Sequence, residues 1–238
     1  MGSITLSIKM KSKLILLVLL AFSTTLSFAQ VKQDRSVANF SAIEVSGAFK
    51  VFIRMGDKCA LTVIANEDAL DDIKSSVDNG VLEVEMDSDW WDGSNSNEKL
   101  ELYITVTSLK EIDLSGACSL ESKNTMSGEN LLLDLSGASK VELELNFATV
   151  TLDVSGAAKC NLSGKSNKLI VDASGASAIY AADLQTNIVN IDASGACKAE
   201  VAAANVLNVD ASGACKVLYK GNPKITKDVS GAASVSEK

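Results

Sequence analysis

Apolar and polar residues alternate along most of this chain with a period of two. Residues 140–145 read Lys-Val-Glu-Leu-Glu-Leu, and residues 149–152 read Thr-Val-Thr-Leu. Side chains of a strand point alternately to its two faces, whereas a helix would space its apolar residues three and four apart. The pattern therefore predicts β-strands with one buried and one exposed face.

A tripeptide interrupts these strands at regular intervals. Ser-Gly-Ala occurs eight times, beginning at Ser46, Ser115, Ser136, Ser155, Ser174, Ser194, Ser212 and Ser230. From Ser115 onward the copies start 21, 19, 19, 20, 18 and 18 residues apart. A repeat near this length that keeps its phase is typical of a solenoid, in which each turn stacks only on its neighbours.

An aspartate precedes seven of the eight serines by two residues. These aspartates are Asp113, Asp134, Asp153, Asp172, Asp192, Asp210 and Asp228. The residue before each is Ile, Leu or Val, except for Lys227 in the last copy. Neighbours in a strand face opposite sides, so the apolar residues point inward and Asp and Ser outward. We predict an all-β fold, a parallel β-helix of about 18–21-residue coils, right-handed as parallel crossovers are.

The segment from about 40 to 110 departs from this repeat. Glu44 replaces Asp in the first copy, and the stretch between Ser46 and Ser115 has room for about three coils. We expect strands at 60–65, 81–86 and 100–106. Asn66 predicts the start of one short helix over about 67–77, closed by Asp78-Asn79-Gly80.

The first 29 residues have the composition of a signal peptide. Three lysines precede an apolar run over residues 14–22, and Ser27-Phe28-Ala29 fits a cleavage site. The run is too short to span a membrane. We expect an exported protein, periplasmic, outer-surface or extracellular. Residues 30–238 are expected to form a single β-helix domain, with decorated coils over about 40–110 and regular coils over about 111–236.

The net charge of the chain restricts the kinds of binding partner that it can have. Residues 1–29 hold three of the 22 basic side chains and no acidic one, so residues 30–238 carry 19 basic and 30 acidic side chains, a net charge of −11. A chain this acidic is a poor partner for nucleic acid or anionic lipid. With no histidine in the chain, a Ser-His-Asp triad is excluded.

Several segments together resemble a known family. They are the opening Phe40-Ser-Ala-Ile-Glu-Val-Ser-Gly-Ala-Phe-Lys-Val-Phe-Ile53, then Gly80-Val-Leu-Glu-Val84, then Leu100 to Ile112, and the Ser-Gly-Ala coils. The chain resembles the auto-transporter adhesin, head GIN domain family of secreted Bacteroidetes-type proteins over nearly all of residues 30–238. The resemblance implies a β-helical fold, an envelope or extracellular location and adhesion. It implies no catalytic residues.

The column of aspartates has two interpretations. Carboxylates stacked about 4.8 Å apart repel one another, and Ca²⁺ bound between neighbours would offset the repulsion. Alternatively, each carboxylate accepts hydrogen bonds from the serine two residues on and from N–H groups of the Gly corner. We expect the second arrangement, with no metal and no cofactor.

Two further columns follow the corner. Lysines lie four residues after the serine in five coils: Lys50, Lys140, Lys159, Lys198 and Lys216. They predict a solvated charged face, with a sugar-binding face as the alternative. Cys118, Cys197 and Cys215 lie three residues after the serine, where other coils have Ser or Ala. We expect buried thiols, although Cys197 and Cys215 on adjacent coils leave a disulfide open.

Trp90 and Trp91 are the best candidates for ligand binding. They are the only tryptophans and lie in a polar stretch, where they would stack on a sugar ring or anchor a protein. The alternative is that they cover the end of the core. We expect a non-enzymatic envelope or surface protein, adhesin-like, that binds a glycan or an envelope protein. The alternative is a polysaccharide lyase or hydrolase of the β-helix type, although an active site should break the repeat.

The last coil carries a charge where the others are aliphatic. An inward charge on an edge strand makes it a poor template for another chain. Lys227 therefore predicts a blocked C-terminal end and no filament formation.

Overall fold

The predicted β-helix is confirmed by the computed structural model, which describes residues 30–87 and 99–238. Of the residues that the structure describes, 69% lie in strands and 3% in a helix, and they form a β-solenoid of about seven turns, with coils about 19 residues apart. No helix within those two ranges is long and apolar enough to cross a membrane. The strands are β1 (Val31–Arg35), β2 (Ala42–Gly47), β3 (Lys50–Met55), β4 (Ala60–Ala65), β5 (Ile73–Asp78), β6 (Val81–Met86), β7 (Glu101–Val106), β8 (Glu111–Gly116), β9 (Ser119–Ser122), β10 (Met126–Leu135), β11 (Lys140–Val154), β12 (Lys159–Ala173), β13 (Ala178–Ala193), β14 (Lys198–Ala211), β15 (Lys216–Lys220), β16 (Lys224–Val229) and β17 (Ser234–Glu237).

Each regular coil consists of two straight runs joined by two corners. In β11 the exposed and buried residues alternate from Lys140 to Phe147, shift phase at 148–149, and alternate again to Val154. The outward side of the first run is the lysine face, and that of the second run is the aspartate face. The Ser-Gly-Ala corner joins one coil to the next, and the bend at residues 146–149 and its equivalents is the second corner.

The core is built from columns of aliphatic residues stacked coil on coil. Leu133, Leu152 and Val171 occupy one register position of the parallel strands β10, β11 and β12, and all are buried. Each fully buried side chain of this kind stabilises the fold by about 1.5–3 kcal/mol. The inward positions on both sides of the aspartates are therefore as predicted.

At the N-terminal end the order of coils differs from the order of the chain. β2 and β3 lie between β6 and β7 on one side and β8 and β9 on the other, all parallel. Beyond them, β4 pairs antiparallel with β7, β1 with β4, and β5 with β6. The stretch between Ser46 and Ser115 therefore adds one coil and an antiparallel cap, and the expectation of three coils there is wrong.

The predicted helix is shorter than expected. Helix α1 spans Glu67–Asp72, and the side chain of Asn66 accepts a hydrogen bond from the N–H of Ala69 at 2.9 Å, as an N-cap does. Ala69 and Leu70 are buried under the cap. The predicted strands at 60–65, 81–86 and 100–106 are confirmed within one residue.

The second half of the predicted helix is strand β5, paired with β6 in a hairpin. The connecting residues Asn79 and Gly80 both have positive φ, 48° and 82°, as a two-residue type I′ turn requires. Asn-Gly is the preferred sequence for this turn. The helical spacing of apolar residues at 70, 73 and 77 suggested a helix, but the pairing of β5 with β6 decides the structure.

Candidate functional site

The aspartates form one unbroken column on the aspartate face. Asp113, Asp134, Asp153, Asp172, Asp192, Asp210 and Asp228 are partners in register from β8 to β16. Glu44 pairs with Asp113, and Glu83 pairs with Glu44. Acidic residues therefore line the same position of consecutive coils from the N-terminal coil to the last.

The expected hydrogen bonds to these aspartates are absent. None of the seven carboxylates accepts one from any described residue, and the hydroxyl of Ser136 donates to Leu114 O at 3.5 Å instead. The corner N–H groups pair with the coil below, as Ala157 N does with Gly137 O at 2.8 Å. Because those donors are already used, the aspartates have no local hydrogen bonds, five of them are exposed while Asp113 and Asp134 are half-buried, and the prediction of local hydrogen bonding is wrong.

Burial and neighbouring charge act on Asp113 in particular. Partial burial raises the pKa of its carboxyl, and the nearby carboxylates of Asp134, Glu44 and Glu111 raise it further. Within residues 30–87 and 99–238, no group of three or more acidic or thiol side chains is arranged to hold a metal ion. A raised pKa means that the ionised carboxylate destabilises the fold at neutral pH.

We expect Asp113→Asn to raise the midpoint of thermal unfolding at pH 7. The folded-state pKa of Asp113 lies above its unfolded value, so stability grows as the pH falls through the folded pKa and levels off below the unfolded one. The gain from the substitution should therefore shrink as acid protonates the wild-type side chain. Melting curves from pH 7 to about pH 3 check this.

Asp228→Asn is the matched control, because Asp228 is exposed and has a partner on one side only. A lower midpoint for Asp113→Asn at pH 7 would show that the column stabilises the fold instead.

The lysine face alternates in charge along each coil. Lys140 and Lys159 are register partners, as are Lys198 and Lys216. Lys140 pairs with Glu142 two residues on, with 2.8 Å between Nζ and Oε1. Such exposed pairs stabilise the fold by at most about 1 kcal/mol, so this part of the face is a solvated charged surface.

Glu200 is the exception on this face, because its side chain is only 9% exposed. Lys198 contacts it at 2.7 Å, and Lys238 near the C-terminus also pairs with it. Hydrogen bonds from these two lysines lower the pKa of Glu200 to about 2. The ion pair between Lys238 and Glu200 links the last residue of the chain to β14.

Two groups of aromatic side chains lie among the charged residues of the lysine face. Phe52 and Tyr103 lie side by side with ring centroids 4.8 Å apart, and the ammonium groups of Lys50 and Lys123 lie 4.8 and 4.1 Å from the Phe52 centroid. Tyr180 lies under two further lysines on the same face. Sequence reasoning missed the pair because Phe52 and Tyr103 are far apart in the chain and meet only when β7 pairs with β3.

Trp90 and Trp91 lie outside the described residues. The segment that contains them is flanked by strands β6 and β7, and the register of these strands is known. Ser46 pairs with Glu85 and Lys50 with Glu101. The described residues Glu85 and Glu101 therefore lie in register with the two sides of the Gly47-Ala48-Phe49 corner, next to the run that carries Phe52 and Tyr103.

The chain's five cysteines are free thiols and all are buried. Cys197 donates to Ser194 O at 3.0 Å and accepts from Ser177 Oγ at 3.3 Å. Complete burial raises the pKa of Cys160 to about 12, and burial also raises that of Cys215. Cys197 and Cys215 are therefore buried core residues and free thiols, without the disulfide that the sequence left open.

Comparison with known proteins places this architecture in a family. Residues 39–223 match the family described as "Putative auto-transporter adhesin, head GIN domain". No curated protein sequence matches the chain.

Solved structures share the fold. A putative adhesin from Bacteroides fragilis has 20% identity and a TM-score of 0.79, covering 89% of this chain and 97% of its own. A putative lipid binding protein from Parabacteroides distasonis has 18% identity and a TM-score of 0.68, covering 89% and 98%. A putative adhesin from Parabacteroides merdae has 16% identity and a TM-score of 0.60, covering 89% and 97%.

The family match spans more than three quarters of the chain. It contains the opening segment, the cap, the aromatic pair and the regular coils down to β15. The resemblance read from the sequence is confirmed, and the chain belongs to the auto-transporter adhesin, head GIN domain family.

Proposed function

We propose that the protein is an exported, non-enzymatic adhesin of the cell envelope or cell surface, and that it binds a glycan or a protein at the N-terminal end of its lysine face. The family and the adhesin names of similar folds support the general role. A signal peptide at residues 1–29 would bring the chain to that location.

The observation that carries the proposal is the Phe52–Tyr103 pair. Tyr103 is 40% exposed, and its hydroxyl donates to Glu101 at 3.0 Å. An exposed ring with a polar rim suits the flat C–H face of a sugar or an apolar side chain of a protein. Lys50 and Lys123 supply hydrogen-bond donors beside the rings.

The described residues that flank the segment with Trp90 and Trp91 support a ligand site at this same N-terminal end of the molecule. They lie at the Ser-Gly-Ala corner that precedes this aromatic pair. Trp90 and Trp91 are proposed to add two large apolar surfaces to the ligand site. The exposed ring of Tyr103 and the two tryptophan rings would form one contact area, with Phe52, which is only 7% exposed, packed against Tyr103.

We expect Trp90→Ala combined with Trp91→Ala, and separately Tyr103→Ala, to weaken ligand binding by tenfold or more. A buried aromatic contact of this kind is commonly worth about 2 kcal/mol or more. Residues 30–238 would be tested against immobilised glycans and envelope proteins, with product release followed in the same samples. Tyr180→Ala is the matched control, because it removes a lysine-flanked ring from the same face several coils away.

Equal weakening by Tyr180→Ala would move the site away from the N-terminal end. Release of shortened saccharides by the wild-type protein would favour a polysaccharide-active enzyme. Loss of the far-ultraviolet β signal in the tryptophan variant would assign those rings to the core. Protease treatment of intact cells would separate a surface protein, which is digested, from a periplasmic one.

A further inference from the structure

A groove lies at the second corner, on the opposite side of the coil from the Ser-Gly-Ala corner. It has a volume of about 550 Å³, within the range of ligand sites. Its polar lining comes from β12, β13 and β15 and includes Lys165, Asn167, Gln185, Asn187 and Lys220.

The groove exists because the repeat breaks here. Ala181 pairs with Val201 and Gln185 with Ala202, so β13 has three residues, 182–184, with no counterpart in β14. On β14 the groove is lined by Ala202, Ala203 and Ala204, whose side chains are short. Extra chain on one coil and small side chains on the next leave an open depression in an otherwise regular surface.

Two lysines lie along the groove on one register column. Lys165 pairs with Gln185, Gln185 with Ala202, and Ala202 with Lys220. Three coil steps separate the two lysines, about 14 Å along the solenoid axis. Lys165 makes no ion pair with any residue in the described ranges, and Lys220 has only the exposed Asp183 at 3.6 Å. That contact is weak, so both ammonium groups are available to an anion.

Amide groups lie between the charges. Asn187 Nδ2 donates to Asn167 Oδ1 at 2.9 Å, which fixes both side chains. The amide nitrogen of Asn167 and the amide oxygen of Asn187 remain free to pair with a ligand. The side chain of Gln185 has no hydrogen-bond partner in the described part of the chain. Amides that both donate and accept are suited to sugar hydroxyls.

We propose that this groove binds an acidic oligosaccharide lying along the solenoid axis. Lys165 and Lys220 bind carboxylates of the sugar chain, the amides bind its hydroxyls, and the half-buried Ala202 and exposed Ala204 of β14 contact its C–H faces. The net charge of −11 over residues 30–238 disfavours general attraction of polyanions, so recognition depends on these two lysines. The site is separate from the proposed N-terminal contact area and goes beyond it.

Calorimetric titration of residues 30–238 with oligogalacturonate tests the proposal. We expect Lys165→Gln combined with Lys220→Gln to weaken binding by tenfold or more, and Ala204→Leu, at an exposed position, to block the groove with little effect on folding. Asp183→Asn should tighten binding, because it removes the carboxylate that competes for Lys220. A purely structural role for Asp183 would not produce tighter binding.

Matched variants control for net charge. Lys140→Gln combined with Lys216→Gln on the lysine face matches the charge change of the double groove variant, Asp71→Asn on α1 matches that of Asp183→Asn, and both controls should leave affinity unchanged. The proposal is overturned if wild-type protein does not bind oligogalacturonate, if a neutral dextran oligosaccharide binds equally well, or if polyglutamate binds more tightly. Loss of oligogalacturonate binding with Tyr103→Ala, but not with the groove variants, would assign the sugar to the N-terminal end.

Discussion

Gly156→Ala is expected to destabilise the solenoid by on the order of 3 kcal/mol. Gly156 has φ 80° at its Ser-Gly-Ala corner, a conformation that costs an L-residue about 1–2 kcal/mol. A Cβ atom there would lie 2.6 Å from the carbonyl oxygen of Gly137 on the coil below. That oxygen already accepts the N–H of Ala157, so the coil cannot move away without losing a hydrogen bond. The two costs add, and the expected loss is large for a single methyl group.

Gly80→Ala separates the two contributions. Gly80 has nearly the same φ, 82°, but a Cβ atom added there would have nothing within 4 Å. We expect it to cost only the backbone strain, about 1 kcal/mol. Urea unfolding monitored by circular dichroism measures the free energy of unfolding of both variants. Equal losses of stability would show that the contact with the coil below adds nothing to the cost of Gly156→Ala.

Lys227→Val is expected to convert a monomer into an associating protein. Lys227 occupies the register position of Val209, as the repeat predicted, and all six residues of β16 are exposed at the end of the solenoid. The exposed Ile225 and Val229 flank it on the inward side. A charge at this position would be buried by any strand added to β16, which opposes growth. Valine would complete an apolar edge.

Sedimentation velocity at increasing protein concentration measures the effect. Lys224→Val removes the same charge from the same strand but from a position in register with the partly exposed Val206, so it should remain monomeric. Filaments of the wild-type protein, or a Lys227→Val variant that stays monodisperse at high concentration, would contradict the prediction.

The regular part of the fold could be predicted because each coil repeats one local rule. Aliphatic residues on both sides of Asp153, and a glycine at the following corner, are sufficient to define the buried face and the turn. Parallel pairing of identical positions then follows from the repeat itself. The same reasoning placed Lys227 inward before any pairing was known.

The cap and the candidate sites depend on contacts between distant segments, which no local pattern shows. The hairpin of β5 and β6 was missed although Asn79-Gly80 signalled it. The Phe52–Tyr103 pair depends on β7 lying beside β3. The groove arises from a difference in length between β13 and β14, and only the unequal repeat intervals hinted at it.

The aspartates show where a local rule misleads. An Asp-x-Ser-Gly sequence predicts hydrogen bonds within the turn, because serine and aspartate commonly bind nearby backbone groups. In a solenoid the corner N–H groups are already paired with the coil below. Competition from the neighbouring coil therefore leaves the carboxylates without hydrogen bonds from the corner.

Because β2 and β3 lie between later strands, shortening the chain from its N-terminus and from its C-terminus has different structural effects. Removing residues from the C-terminus takes away whole layers in sequence, beginning with β16 and β17. Removing residues up to about 56 takes out an interior layer and separates β6 and β7 from β8 and β9. During synthesis or export, β1 can pair once β4 has emerged, whereas β2 and β3 have no partner until residues 81–106 or 111–122 have followed. Later parts of the chain therefore add coils on both sides of the coil formed by β2 and β3.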